Sequence, residues 1–294
     1  VISDSRVDVL QDINAWFEAY NNSGTKLGEL LDVEITMEKL EKVFNTVMYK
    51  SESDYINMVV IDITEQKETQ NKLSKAIKDA KLSLANNEKS RMDVVQTVYN
   101  EYMNYITAVY TRYATHKTLN YTELSETVKE LCIFIKENRR YVLRITPSQD
   151  TITKNYLISH SMRSTVIAIV IALQLRFSLS KIVDLGVCCI LHEIGQIRLP
   201  PQLYMTDRRL SPSERQKLAT HAVLGFNIVK ENNFPTQIQL GILEHHEREN
   251  RSGYPRRLEG SQIDIFAKII GVACSFEAIT APRHFRQARS SYAA

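Results

Sequence analysis

Five histidines in the second half of the chain keep company with acids and turn formers. They are His160, His192 followed by Glu193, His221, and the adjacent pair His245 and His246, which runs into Glu247 and then Ser252-Gly253-Tyr254-Pro255. Neutral imidazole is the commonest protein metal ligand, and five of the seven histidines fall in this one constellation. Nitrogen and oxygen donors suit hard or borderline cations such as iron, manganese or zinc. Such sites usually activate water. A cation lowers the pKa of a bound water, and a second cation about 3.5–4 Å away can hold a phosphate and stabilise the leaving oxygen. A carboxylate beside a histidine, as in His192-Glu193, can bridge two ions. The alternative is a set of unrelated surface and core histidines, which would not be expected to gather His-Glu, His-His and a Gly-Tyr-Pro turn.

His245 and His246 sit in a helix-like stretch, Gln237 to Glu249. Adjacent helix residues point about 100° apart. Both rings can bind only if the metals lie between those directions or the helix ends there. Asn250, Ser252, Gly253 and Pro255 are breakers and turn formers, so the helix is expected to end. Tyr254 would then pack or donate a hydrogen bond near the site.

These residues resemble the HD-GYP domains, cyclic di-GMP phosphodiesterases of the HD metal-hydrolase superfamily, over about residues 150–294. Leu191-His192-Glu193-Ile194-Gly195-Gln196 resembles the family's Leu-His-Asp-Ile-Gly-Lys, and Thr220-His221 with Gly225 its His-Pro-x-x-Gly helix. Ile197 to Pro200 and Leu210-Ser211-Pro212-Ser213-Glu214 follow in the family's order. His245-His246-Glu247-Arg248 and Gly253-Tyr254-Pro255 match the signature behind half of its name. Ala273-Cys274-Ser275-Phe276-Glu277-Ala278-Ile279-Thr280, then Arg283 and Arg286, resemble its last segment.

The resemblance implies one or two divalent ions, iron or manganese first and zinc as a further candidate. One ion would draw on His192, Glu193 and Cys274 with His160 nearby, the other on Glu193, His221, His245 and His246. Glu193 and Gln196 would stand at catalytic positions. Tyr254, Arg283 and Arg286 would meet a cyclic dinucleotide, the two arginines clamping phosphate.

Several positions depart from the family pattern. Glu193 replaces an aspartate and is one methylene longer. Cys274 replaces an aspartate, and its thiolate can still ligate. Gln196 replaces a lysine, removing a cation beside the phosphate. Tyr156 stands where an acid would support a third metal, and Asn250-Arg251 where Asp-Gly is usual. Altered charges of this kind cost electrostatic transition-state stabilisation. Two functions are therefore expected from different classes. One is a phosphodiesterase with weakened catalysis; the other is an inactive signalling or interaction module that keeps metal or nucleotide binding.

The elements that must position these residues are mainly helical. The chain has no proline before Pro147 and no glycine between Gly28 and Gly186, an absence of breakers that argues for helices. The expected organisation is a small α/β segment over 1–65, a helical connector over 66–146 and an all-α HD-type bundle over 147–294. Tyr55 to Ile63, followed by Thr64-Glu65, resembles the last strand and exit of a PAS sensor domain. Leu73, Ile77, Ala80 and Leu84 then repeat at coiled-coil spacing, with Asn87, Arg91, Val94 and Val98 continuing the register. That seam predicts a dimeric connector, with an amphipathic helix packed on its own domain as the alternative. Tyrosines at 99, 102, 105, 110 and 113 read as packing, and Cys188 and Cys189 as buried small apolar residues. In the bundle, Ser180 is expected to open a helix over Ile182–Ile194, and Ser211-Pro212 the helix bearing His221.

Composition bounds the rest. With 44% hydrophobic and 24% charged residues, the chain has the usage of ordinary soluble domains, and 294 residues suffice for about two of them. A net charge of +3 without an aromatic-interleaved basic cluster points away from nucleic acid. Four cysteines without finger or disulfide spacing suggest a reducing cytoplasm. The most apolar window, Ser164 to Leu175, is short for a membrane span. The chain begins at Val1, which leaves room for an upstream anchor or sensor.

Overall fold

The computed structural model describes residues 31–37, 42–50, 56–83, 88–145, 156–206 and 208–281. Two compact units divide near residue 71. The connector helices therefore group with the bundle rather than standing apart from it.

In the first unit, strands β1 (Leu31–Met37), β2 (Lys42–Lys50) and β3 (Ile56–Asp62) form an antiparallel sheet in sequence order. Val33 pairs with Thr46, which pairs in turn with Val60. The strands are rich in β-branched residues, which favour a pleated surface. β3 is the apolar run read from the sequence. Helix α1 (Thr64–Ser83) starts directly after it and crosses the divide between the units. The Asp62 carboxylate accepts from Thr64 N at 3.0 Å and from Thr64 Oγ1 at 2.6 Å, so the capping acceptor lies two residues before Thr64.

The second unit continues with α2 (Glu88–His116), α3 (Tyr121–Val142), α4 (Tyr156–Gln174) and α5 (Leu179–Leu191). Then follow α6 (Pro212–Ala219), α7 (His221–Glu231), α8 (Thr236–Glu244) and α9 (Ile265–Thr280). Asn120, Ser178, Ser211 and Asp264 cap α3, α5, α6 and α9 by accepting backbone N–H groups, the usual role of short polar side chains at helix starts. Helix α4 is central and packs on α2, α3, α5 and α9. By length and composition it could cross a membrane, but 61% of its apolar window is buried in the unit. A helix that is apolar all round also suits a core position.

Three boundaries differ from the sequence reading. Helix α5 opens at Ser178 instead of Ser180, because Ser178 can accept from Lys181 N. It stops at Leu191, and a 3₁₀ segment, Ile194–Arg198, takes over. The helix after Ser211-Pro212 also ends early, so His221 begins a helix of its own.

The coiled-coil reading needs the largest correction. Leu73, Ile77 and Ala80 are buried in the chain's own hydrophobic core, which fits the amphipathic alternative. Arg91 does not continue the seam but lies over the Tyr141 ring, 5.4 Å from its centroid. A dimer using that stripe would find little free apolar surface. Leu84 and Asn87 lie outside the described residues. The five tyrosines of α2 and the pair Cys188 and Cys189 are buried as expected.

Candidate metal centre

Five chain segments deliver the constellation. His160 projects from the second turn of α4, while His192 and Glu193 follow α5. His221 opens α7, His245 and His246 follow α8, and Cys274 and Glu277 are spaced i, i+3 on α9, hence on one face. The 3₁₀ segment after Glu193 lies against α7. A Cβ on Gly195 would stand 2.0 Å from the His221 carbonyl oxygen. Only glycine permits that approach, and it brings Glu193 up to His221.

Hydrogen bonds to backbone carbonyls fix the tautomers. Nδ1 of His192, His221 and His245 lies 2.6, 2.8 and 2.7 Å from the carbonyl oxygens of Cys189, Leu218 and Ile242, each three residues earlier. A carbonyl only accepts, so Nδ1 carries the proton and a neutral ring leaves Nε2 as a bare lone pair. These lone pairs converge. His221 Nε2 lies 3.2 Å from His245 Nε2, and His192 Nε2 lies 3.3 Å from His160 Nε2 and 3.1 Å from Cys274 Sγ. Two acceptors at such distances repel unless a proton or cation lies between them.

The donors fall into two groups, Glu193 with His221, His245 and His246, and His160 with His192 and Cys274. Glu193 reaches both. Its Oε2 is 3.2 Å from His221 Nε2, and its Oε1 is 3.8 Å from Nε2 of both His160 and His192. Mixed nitrogen, carboxylate and thiolate donors with locked tautomers fit a divalent cation, and the bridging carboxylate suits two.

For His245, His246, Glu193 and Cys274 the electrostatics agree with that fit, whereas at His192 burial is outweighed by Cys274, which raises the ring above its ordinary value. Burial holds His245 well below the usual imidazole range, aided by His246 and His192, and brings His246 down to about 3 despite Glu193. Both rings are neutral near pH 7, as ligation requires. Burial raises the Glu193 carboxyl, but His221, His192 and His160 outweigh it and hold it at about 2. For Cys274 burial acts upward and the neighbouring His192 and His160 downward, leaving the thiol at about 6. Burial opposes protonation of His160, yet Glu277 and Cys274 lift it well above its ordinary value.

The remaining expected residues sort as follows. Gln196 is buried, and its amide nitrogen donates to Glu193 Oε2. Tyr254 stacks on His246 with centroids 4.6 Å apart and stands edge-on to His221. Tyr156, at the position of the family's extra acid, lies parallel to the His160 ring at 6.1 Å. Arg251, where glycine is usual, adopts a positive φ of 62° and pairs with Glu259. Arg283 and Arg286 lie outside the described residues.

Sequence reasoning gave no role to Glu277, whose Oε2 is 2.5 Å from His160 Nδ1 and whose Oε1 faces Arg163 at 3.8 Å. Its spacing from Cys274 was the available signal. Glu247 is buried away from ligation; its carboxylate accepts from Arg256 N at 2.6 Å and Leu258 N at 2.9 Å, holding the turn that carries Tyr254.

Comparison with known proteins agrees with this arrangement. The HD domain family matches residues 149–294. A cyclic di-GMP phosphodiesterase of Thermotoga maritima is 38% identical over 99 residues, 33% of this chain and 27% of that protein. Cyclic di-GMP phosphodiesterase PdeB of Borreliella burgdorferi is 25% identical over 140 residues, 48% and 37% of the two chains. A 3'3'-cGAMP-specific phosphodiesterase of Vibrio cholerae is 31% identical over 134 residues, 45% and 29%. The matched stretch thus spans about a third of the length of these relatives. Among solved structures, Bd1817, an HDG"Y"P protein from Bdellovibrio bacteriovorus, superposes with a TM-score of 0.57 at 17% identity, covering 85% of this chain and 88% of that one. That likeness establishes the mainly helical HD-type fold. With the matched HD domain, the family's motifs in order and its donors gathered at one centre, residues 149–294 belong to the HD-GYP family of HD domain proteins.

Proposed function

We propose that this chain is a metal-dependent phosphodiesterase acting on cyclic di-GMP or a related cyclic dinucleotide. The observation that carries the reading is the convergence of histidine lone pairs on Glu193, with Nδ1 of three rings anchored on backbone carbonyls. A divalent cation held there, iron or manganese in the first instance, would supply an acidified water and a Lewis acid for a phosphoryl oxygen.

The chain's own residues supply the rest. Glu193 stays ionised and spans both donor groups. Glu277 orients His160 through Nδ1. Tyr254 covers His246 and reduces water access to that ring. Gln196 steadies Glu193 with a neutral amide. No positive charge comes from that position, so hydrolysis is expected to be weakened. The same substitution supports a second reading, a signalling module that binds metal and nucleotide without turnover. The strand meander running into α1 is compatible with a PAS-like sensory element.

The test combines elemental analysis of anaerobically purified protein with hydrolysis assays on cyclic di-GMP and 3'3'-cGAMP, with manganese or iron added. Linear product that disappears in the double variant His221→Ala, His246→Ala supports the phosphodiesterase. Bound metal and bound nucleotide without product favours the module. Full metal occupancy in the double variant removes the assigned centre.

A further inference from the structure

Beside the metal centre lies a surface cavity of about 290 Å³, with walls that include Tyr110, Tyr156, Leu157, Ile197, Tyr204 and Met205. Two of these residues connect it to the centre. Tyr156 lies parallel to the His160 ring, with an interplanar angle of 5°. Ile197 follows Gln196, whose amide holds Glu193. Tyr204 closes the short 3₁₀ segment Pro201–Leu203, and Met205 is 48% exposed at the rim.

The lining is selective in kind. Among the described residues it contains three tyrosines, two threonines, a methionine and aliphatic residues, with no charged side chain. Such a wall does not match phosphate, which calls for cations or clustered N–H donors. It does match a flat, neutral, polarisable ring, which stacks on aromatic faces and packs against a thioether. The volume lies near the lower edge of the roughly 300–1,000 Å³ of small-molecule sites. It admits one base and excludes a whole cyclic dinucleotide.

We propose that this cavity is a base subsite, receiving one purine of a cyclic dinucleotide whose phosphodiester lies at the histidine centre. The proposal rests on the phosphodiesterase reading for its ligand class. It assigns Tyr204 and Tyr156 to substrate recognition. Replacement of an acid by Tyr156 then exchanges a metal-binding position for an aromatic wall.

The test uses the metal-loaded full chain, with cyclic di-GMP binding measured by calorimetry and hydrolysis measured separately. Tyr204→Ala removes a stacking face, whereas Thr111→Trp fills the cavity from an exposed position on α2. Both should weaken binding and raise KM by about tenfold, and Tyr204→Phe should stay within about threefold of the parent. Circular dichroism checks that each variant is folded. Tyr204-dependent binding without cleavage would keep the subsite and refute the phosphodiesterase. Cleavage with KM unchanged in both Tyr204→Ala and Thr111→Trp would refute the subsite and keep the phosphodiesterase. A parent chain that neither binds nor cleaves the dinucleotide would refute both.

Discussion

Gln196 donates its side-chain amide to Oε2 of Glu193, the same oxygen that lies 3.2 Å from Nε2 of His221. The family's lysine position is thus filled by a neutral group engaged with the bridging carboxylate. If charge at this point limits the reaction, Gln196→Lys should raise turnover by about 10²-fold, the size of one electrostatic contact. The combination with Glu193→Asp and Cys274→Asp should keep or extend the gain. Steady-state kinetics with metal content measured in parallel decides the matter. No gain with metal still bound would show that charge at position 196 does not limit turnover.

Glu277 holds His160 through Nδ1 at 2.5 Å and is itself 1% exposed. Carboxylates behind ligating histidines typically contribute 10–100-fold to metal affinity. Glu277→Gln keeps the shape and removes the charge. It should weaken metal binding by about that factor, read by competition with a chromophoric chelator. Unchanged affinity would mean that His160 does not contribute to the bound metal.

In metal-free protein Cys274 should titrate near pH 6, because His192 and His160 stabilise its thiolate more than burial disfavours it. The folded pKa is depressed below the unfolded value of about 8.5. The stabilising contribution is therefore full above about pH 8.5 and falls as the pH drops through about 6. Thiolate absorbance at 240 nm, compared between the parent and Cys274→Ser, reads this directly. A midpoint above pH 8 would show that the imidazoles do not set the state of the thiol.

How much of this was legible in the sequence depends on the kind of contact. His160, His192, His221, His245 and His246 stood out because ligand chemistry needs particular residue types, and the turn after His245-His246 marks a helix end. Glu277 did not, because a residue that orients a ligand is defined by its partner across α4 and α9. The early end of α5 was hidden for a similar reason. Gly195 is a weak local signal, and its purpose appears only where α7 crosses within 2.0 Å of a would-be Cβ. The heptad spacing of Leu73, Ile77 and Ala80 was real, but periodicity specifies an apolar stripe and not what covers it.

That stripe supplies the last prediction. Leu73 is 1% exposed and belongs to the core of its own chain. Leu73→Ala should therefore destabilise the protein by about 2–5 kcal/mol, the cost of removing a buried leucine side chain. Urea unfolding at two protein concentrations measures it, and sedimentation records the assembly state of the folded protein. A core role predicts a loss of stability independent of concentration, with sedimentation unchanged between parent and variant. If Leu73→Ala instead leaves the unfolding midpoint in place and converts a dimer into a monomer, the stripe is an interface and its packing within one chain is refuted.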